Sequence, residues 1–406
     1  MTHRYVARPN ELSFLIKNMN QPVIKVISGV RRSGKSTLLL LFQDYLIEQG
    51  VMPEQIISVN FDDFHFHDLL NPYELHQYLL KRIRSNQMNY LFLDEIHLVP
   101  DFEKLLDSLL YREDTDIYIV GSNEYFIKKL ANSPLEGKYI CNNMLPLSFK
   151  SYQNWHKLHK HFATQQHLFN RYCQNSFPFT LFFDTDFERV HYLEGVYSTV
   201  VLNDIVKRLQ VQDVRVLERL IEALVSSIGN LVTINKLKNK LKQLNTPIAN
   251  NTIDRYITGI LESNIMYRAR RFDIPSMKIL STQEKYYMVD PGLQYLVLNG
   301  QVDNIQSIIE NVVYLELLRR GFEVYIGKSN QYMVDFVAID ADYEYTYYQV
   351  VESTLDDKVL KGELKCLQSI HDYYPKYLIT LDDVPQKTSY GGIKKMNLLD
   401  WLVNDD

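Results

Sequence analysis

The sequence predicts an α/β protein whose first part is built on a parallel sheet. Between residues 1 and 150, four short apolar runs alternate with amphipathic segments, and the runs read PVIKVISG, QIISVNFDD, NYLFLDE and DIYIVGSN. Apolar runs that end in turn residues are typical of strands buried on both faces, which occur mainly in parallel sheets covered by helices. The composition fits a globular protein of two or three domains, because 46% of the 406 residues are hydrophobic and 23% are charged.

Three further segments follow the first domain. Residues 151–229 contain amphipathic stretches such as VRVLERLIEALVSSIG without strand-like alternation, which indicates a helical connector. Residues 230–295 predict two short helices, a turn between them and a hairpin, which is the order of a winged helix-turn-helix. Residues 296–406 predict a second α/β domain, because the helix IQSIIENVVYLELLRRG precedes the strand-like runs FEVYIG, MVDFVAI, YTYYQVV and KYLITL.

Charge, cysteine content and hydropathy exclude several classes of protein. The three cysteines lie far apart without CxxC spacing, so neither a disulfide scaffold nor a cysteine zinc site is indicated. The chain has no apolar leader and no stretch near the about 20 apolar residues that span a bilayer, so we expect a cytoplasmic protein without a membrane partner. The net charge of −5 argues against a chain that coats nucleic acid with its whole surface.

A phosphate-binding loop is the strongest signal in the chain. Residues 29–36 read GVRRSGKS, which fits the P-loop pattern GxxxxGK[ST] between a predicted strand and a predicted helix. The glycines let backbone N–H groups turn toward phosphates, Lys35 reaches the β- and γ-phosphates, and the Ser36 hydroxyl is a ligand for Mg²⁺. We therefore expect ATP and Mg²⁺ as cofactors, bound by Gly29, Arg31, Arg32, Ser33, Gly34, Lys35, Ser36 and Thr37.

Two acids end the predicted strand NYLFL. Asp94 is placed to hold Mg²⁺, and Glu95 to polarise the attacking water, because phosphoryl transfer needs a positioned nucleophile and neutralised charge. Asn123 follows the next strand and is a candidate to sense the γ-phosphate or to orient the water, although asparagine is also a common turn residue. We predict Lys35, Glu95 and Asn123 as the catalytic residues, and Ser36 and Asp94 as the metal ligands.

The run DEIH at residues 94–97 also matches the DExH box of helicases. A helicase requires a second motor domain with its own arginine-rich motif, and the later segments predict none, so this interpretation is disfavoured. Positive charge for the γ-phosphate could come from Arg31 or Arg32 in the loop, from Lys138, or from a neighbouring subunit. The sequence leaves these sources open.

The segment from 230 to 290 is basic within an acidic chain. It contains ten Lys and Arg residues against five Asp and Glu residues, so its net charge is +5 and the remainder of the chain carries −10. A winged helix with such a charge is a candidate DNA-binding module, and its candidate contacts are Arg255, Arg268, Arg270 and Arg271. The alternative is that this segment only transmits conformational change and that its charges are solvated.

The chain resembles a bacterial and archaeal family of AAA+-type P-loop ATPases, related to the STAND class, that carry a C-terminal domain similar to PD-(D/E)xK nucleases. The resemblance rests on GVRRSGKST, LFLDEIH, GSN, LPLSF, VVLNDIVKR, NTIDRYI, KYYMVDPGL, ENVVYLELLRRG and VDFVA. It implies a restriction-endonuclease-like fold for residues 296–406. Carried over by position, its nuclease-type residues are Glu310, Asp335 and Gln349.

This nuclease-type pattern is incomplete. Such nucleases use two carboxylates for Mg²⁺ and a lysine two residues after the second acid. Here the second acid is replaced by Gln349 and the lysine by Val351. Unless Lys358, Lys361 or Lys365 reaches the site from the following helix, we expect a nuclease-like domain without nuclease activity.

The predicted function is a Mg²⁺-dependent ATPase that acts as a switch, in which one P-loop domain is joined to domains that are not motors. Its expected partners are ATP and, as candidates, DNA, a second copy of the chain or a partner protein. Two alternatives stay open at this point. One is a nucleotide-gated binding protein without turnover, and the other is an ATP-regulated DNA nuclease.

Overall fold

The computed structural model describes residues 5–161, 163–301, 304–383, 385 and 388–404. They form two compact units. The first unit extends to Pro146 and also includes Glu262–Asn264, and the second comprises Leu147–Leu261 and continues from Ile265. None of the helices in these ranges is long and apolar enough to cross a membrane.

Five parallel strands form the sheet of the first unit: β1 (Ile24–Ser28), β2 (Ile56–Asn60), β3 (Asn89–Asp94), β4 (Thr115–Val120) and β5 (Tyr139–Asn143). Its helices are α1 (Pro9–Lys17), α2 (Lys35–Glu48), α3 (Pro72–Arg82), α4 (Phe102–Leu110) and α5 (Glu124–Ala131). The strand order is β2-β3-β4-β1-β5, so β4 lies between β1 and β3. The carboxyl ends of these three neighbours share one edge of the sheet, which brings together the residues that follow them.

The four predicted strands of this unit are confirmed as β1 to β4, and with them the parallel α/β fold. Every residue of β1 and of β3 is buried, as expected for strands covered by helices on both faces. The sequence does not predict β5. This strand forms an edge of the sheet and none of its residues is buried, so it carries no apolar run that would identify it.

A buried ion pair lies inside this sheet. Lys25 Nζ is 2.5 Å from Asp116 Oδ1, and both side chains are almost inaccessible to solvent. The hydroxyl of Tyr118 and the backbone N–H of Asn20 each donate to Asp116 Oδ2 at 2.7 Å. Burial lowers the pKa of Lys25, and the neighbouring Asp116 carboxylate opposes this effect. The pair ties β1 to β4, the two strands whose ends carry the P-loop and the candidate sensor.

Eight strands form the mixed sheet of the second unit: β6 (Met266–Asp273), β7 (Lys278–Met288), β8 (Glu323–Ser329), β9 (Tyr332–Ile339), β10 (Tyr345–Val351), β11 (Lys376–Thr380), β12 (Ser389–Tyr390) and β13 (Ile393–Asn397). Their order is β12-β13-β11-β10-β9-β8-β6-β7. The predicted C-terminal strands are confirmed as β8 to β11. The sequence does not predict the short strands β12 and β13.

Ten α-helices belong to the described part of this unit: α6 (Phe149–Leu158), α7 (Gln165–Tyr172), α8 (Asp186–Thr199), α9 (Val214–Val225), α10 (Ile234–Gln243), α11 (Asn250–Glu262), α12 (Pro291–Val297), α13 (Ile305–Arg319), α14 (Asp357–Gln368) and α15 (Leu398–Val403). Helix α8 continues into a π-helical segment, Val200–Lys207. The first four helices supply the helical character predicted for residues 151–229. Helix α13 is buried along most of its length, and the predicted helix IQSIIENVVYLELLRRG is thereby confirmed.

The hairpin β6–β7 is continuous with the C-terminal sheet. Helices α10 and α11 precede it in the order predicted for residues 230–295. However, β6 pairs in parallel with β8, with Arg271 opposite Ile326, so the hairpin forms the edge of the eight-stranded sheet. Local sequence indicates that a segment is a strand but not which distant strand it pairs with. The winged-helix assignment stays a prediction, and so do the limits of the four predicted segments.

Candidate nucleotide-binding site

The loop between β1 and α2 requires glycine at two positions. Gly29 has φ of 135° and Gly34 has φ of 101°, a region of backbone conformation that side chains with a Cβ rarely adopt. A Cβ on Gly29 would also lie 2.2 Å from the carbonyl oxygen of Met144. The backbone therefore curls tightly before α2 begins at Lys35. This is the geometry that points successive N–H groups at an anion.

Lys35 lies inside this curl. Its ammonium donates to the carbonyls of Gly29 and Val30, each at 2.9 Å, and the residue is buried. The loop thus carries a fixed positive charge at the start of a helix, where the helix dipole adds to it. Ser33 is fully buried and its hydroxyl oxygen has no hydrogen-bond partner among the described residues.

Asp94 lies at the end of β3 and faces the start of α2. The residue is 6% exposed, and burial raises its pKa to about 6 even though the hydroxyl of Ser36 donates to it. Its Oδ1 atom is buried without a hydrogen-bond partner among the described residues. A buried carboxylate oxygen without a partner beside a serine hydroxyl is a donor set that suits Mg²⁺, which prefers oxygen ligands. The residues predicted for the metal, Ser36 and Asp94, are therefore adjacent and fit it.

Glu95 adopts a left-handed conformation with φ of 56°, which is uncommon for a residue other than glycine. Its Oε2 accepts a hydrogen bond from Ser122 Oγ at 3.4 Å and lies 3.2 Å from His97 Nδ1. The strained backbone and these two neighbours together orient a buried carboxylate at the edge of the sheet. Sequence reasoning identified Glu95 but not the residues that orient it.

Asn123 begins α5. Its Oδ1 accepts from the backbone N–H of Phe126 at 2.9 Å, which is the contact of a helix N-cap. The cap engages the carbonyl end of the amide, and the neighbouring Ser122 donates to Glu95. The role of Asn123 as a γ-phosphate sensor stays a prediction.

Arg8 is a site residue that the sequence reasoning missed. Its Nη2 donates to the carbonyl of Ser33 in the P-loop and to that of Leu145 at 3.0 Å, and the residue is 4% exposed. Its Nη1 donates to the carbonyl of Pro146 at 3.4 Å. A guanidinium buried among carbonyls holds the outer side of the loop in place. The sequence carries no signal for this role beyond the position of Arg8 directly before α1.

The candidate sources of positive charge are separated by the sheet. Arg31 is half-buried, Arg32 is exposed with φ of 67°, and both lie in the loop, followed by the half-buried Thr37. Lys138 precedes β5 and its Nζ is 2.6 Å from Asp107 Oδ1. Because the strands are parallel, Lys138 lies at the edge opposite the P-loop. It is therefore not adjacent to the P-loop of its own sheet.

The four arginines predicted to contact DNA lie on two elements. Arg255 is exposed on α11, and Arg268 and Arg270 are exposed on β6. Arg268 Nη1 is 3.6 Å from Glu284 Oε1, and Arg271 donates to Gln283, so two of the four have partners on β7. The Glu284 carboxylate offsets part of the charge that the hairpin presents to an anionic partner, whereas the neutral Gln283 only orients Arg271.

The nuclease-type residues come together in the second unit with a lysine that the sequence analysis did not identify. Glu310 on α13, Asp335 on β9 and Gln349 on β10 are neighbours, and Asp335 N donates to Gln349 Oε1 at 3.2 Å. The lysine at this cluster is Lys285 of β7, 2.7 Å from Glu310 Oε1. The predicted substitutes Lys358, Lys361 and Lys365 are all exposed on α14. The one signal for Lys285 is its position at the start of the apolar run KYYMV.

Known proteins resemble this chain in sequence and fold. Residues 21–153 match a family model described as an AAA domain, and residues 165–303 match one described as a domain of unknown function. An uncharacterized protein of Haemophilus influenzae is 33% identical over 405 residues, which cover 99% of this chain and 100% of that protein. An uncharacterized protein of Methanocaldococcus jannaschii is 27% identical over 330 residues, 77% of this chain and 71% of that protein. The Walker-type ATPase of Pyrococcus abyssi is similar in fold, with a TM-score of 0.51 at 14% identity over 73% of this chain and 97% of that one.

Proposed function

The chain belongs to the family of the Haemophilus influenzae protein and carries an AAA domain, and from this premise we propose that it binds Mg·ATP and hydrolyses it as a molecular switch. The observation that carries the proposal is the buried Asp94 Oδ1 atom, which has no hydrogen-bond partner among the residues that the structure describes and lies next to Ser36 and near Lys35 at the start of α2. Burial of an ionised carboxylate costs free energy, and a cation bound next to it offsets that cost. Bound Mg²⁺ would supply that charge and neutralise the phosphates.

Different residues of the chain bind the phosphates, hold the metal and accept the proton. The curl at Gly29 and Gly34 holds the phosphates through backbone N–H groups, and the Lys35 ammonium exchanges its carbonyl partners for phosphate oxygens. Ser36 and Asp94 hold the metal. Glu95 accepts the proton of the attacking water while its carboxylate is oriented by Ser122 and His97.

The position of the site in the sheet supports the proposed switch. Its groups lie at the ends of β1, β3 and β4, so a change in the γ-phosphate alters contacts on three neighbouring strands at once. We propose that this change is passed to the second unit, whose hairpin and helices are the candidate surface for DNA or a partner protein. The rival function is binding of nucleotide without turnover.

Nucleotide binding and trapping test this proposal. Binding of a fluorescent ATP analogue with Mg²⁺ is expected to be lost in Lys35→Ala and kept in Glu95→Gln, and only Glu95→Gln should retain intact ATP after a long incubation. Lys361→Ala, which removes an exposed lysine of α14, is the matched control and should behave as wild type. ATP that stays intact on the wild-type protein as long as on Glu95→Gln would favour the rival function.

A further inference from the structure

A lysine lies between two carboxylates inside the second unit. Lys285 Nζ is 2.7 Å from Glu310 Oε1 and 3.3 Å from Asp335 Oδ1. The three residues come from β7, α13 and β9, which are far apart in the chain. The lysine belongs to the hairpin that the sequence assigned to another domain, so its ammonium joins that hairpin to the nuclease-like elements.

Lys285 and Glu310 are enclosed, whereas the side chain of Asp335 is 16% exposed. Lys285 and Glu310 are 6% and 4% exposed. The hydroxyl of Tyr287 donates to Glu310 Oε1 at 2.6 Å, and the backbone N–H of Val350 donates to Asp335 Oδ2 at 3.0 Å. These contacts orient both carboxylates toward the ammonium.

The charges of the cluster favour a protonated lysine. Burial on its own lowers the pKa of Lys285, but the carboxylates of Glu310 and Asp335 outweigh burial and raise the pKa to about 12. Burial raises the pKa of Glu310, against the opposing pull of Lys285. The ammonium is therefore the charge that allows two acids to lie close together in an enclosed place.

The backbone closes the other side of Glu310. Gly229 has φ of 82°, and a Cβ built on it would lie 3.1 Å from Glu310 Oε2. The bridge between Val232 and Glu284 joins this segment to β7 next to Lys285. Oε1 of Glu310 thus contacts Lys285 and Tyr287, and Oε2 faces the backbone at Gly229, where a side chain would crowd it.

We propose that Lys285 is the built-in cation of this centre, taking the carboxylate oxygens that a divalent metal ion would need. A divalent ion requires the same oxygens at about 2.0–2.6 Å, where it would repel the ammonium. The centre therefore binds no divalent ion and cleaves no DNA, and it anchors the hairpin β6–β7 to α13 and β9. This proposal is independent of the proposed ATPase function.

Removal of the lysine tests the proposal in the full chain carrying Asp94→Asn, which removes the predicted metal ligand of the first unit. In this background Mn²⁺, measured by the electron paramagnetic resonance of the free ion, should not bind. Adding Lys285→Met should lower the unfolding midpoint in EDTA by about 5–10 °C, because it leaves the buried Glu310 and the partly buried Asp335 without their cation. It should also create one Mn²⁺ site that restores most of the midpoint and is lost again with Asp335→Asn. Lys278→Met, an exposed lysine on the same strand, is the matched control and should change neither property.

A second variant covers the case in which Lys285→Met does not fold. Lys285→Met with Glu310→Gln removes the lysine together with one acid, so it should recover most of the lost stability. The proposal is overturned by a double variant as unstable as the single one, or by Lys285→Met that folds without gaining a Mn²⁺ site. The proposal is also overturned if a protein that still contains Lys285 binds Mn²⁺, or cleaves DNA with Mn²⁺, and loses that property in Asp335→Asn.

Discussion

Asp94→Asn should make the first unit more stable while it removes hydrolysis. The carboxyl is buried, and its pKa rises from 3.8 to about 6 in the folded protein without metal. The folded state therefore binds its proton more tightly than the unfolded state does. The free energy of unfolding therefore falls as the pH rises from about 4 to about 6, because the buried carboxyl loses its proton. The ionised carboxylate continues to destabilise the folded unit at neutral pH.

The size of this penalty follows from the shift. A shift of about two pKa units corresponds to about 3 kcal/mol, because each unit is worth about 1.4 kcal/mol. The neighbouring Lys35 charge opposes the shift and is already included in it. An asparagine is an uncharged counterpart of the protonated carboxyl and avoids this penalty, so we expect Asp94→Asn to gain about 3 kcal/mol at pH 7.5 and little at pH 4.

Hydrogen exchange of peptides that cover β3 and α2, in EDTA and without nucleotide, measures this difference. Tryptophan fluorescence is unsuitable, because Trp155 and Trp401 both lie in the second unit. Asp44→Asn, an exposed aspartate on α2, is the matched control. An Asp94→Asn unit that is less stable than wild type at pH 7.5, or a gain that is equal at both pH values, would refute the reasoning.

Three further predictions concern the sheet, the loop and the hairpin. Lys25→Met should lower the free energy of unfolding, measured by chemical denaturation, by about 3–5 kcal/mol, because it leaves the buried Asp116 carboxylate without its cation. Adding Asp116→Leu should recover most of this loss. If the losses from the two substitutions simply add, the prediction is wrong. Arg8→Ala should weaken ATP binding about tenfold or more in calorimetry by releasing the loop at Ser33, with Arg8→Lys intermediate, and unchanged affinity would contradict the role. Neutralising the hairpin arginines Arg268, Arg270 and Arg271 should weaken DNA binding and make the affinity less dependent on salt concentration. An unchanged dependence of affinity on salt would show that these residues do not contact phosphates.

The P-loop site could be predicted because its signals are local. The glycines of the loop, Lys35 and Ser36 lie within eight consecutive residues, and Asp94 and Glu95 follow the apolar run YLFL of β3. Parallel pairing then requires the strand ends to meet at one edge. Residue type and position were enough in this part of the chain.

The parts that could not be predicted depend on distant contacts. Lys285 comes to Glu310 only because β6 pairs with β8, and nothing within the hairpin specifies that partner. Arg8 is separated by 25 residues from the Ser33 carbonyl that it holds. The strand β5 is exposed at an edge, so its sequence lacks the apolar run by which the other strands were found.

Steady-state phosphate release by the purified full chain tests the central claim most directly. With ATP and Mg²⁺, wild type is expected to release phosphate, and Lys35→Ala and Glu95→Gln are expected to lose this activity, by about 10²-fold or more for the general base. Lys361→Ala, the exposed control on α14, should release phosphate at the wild-type rate. Equal phosphate release from wild type and Lys35→Ala would contradict the claim that this loop binds the nucleotide that is hydrolysed.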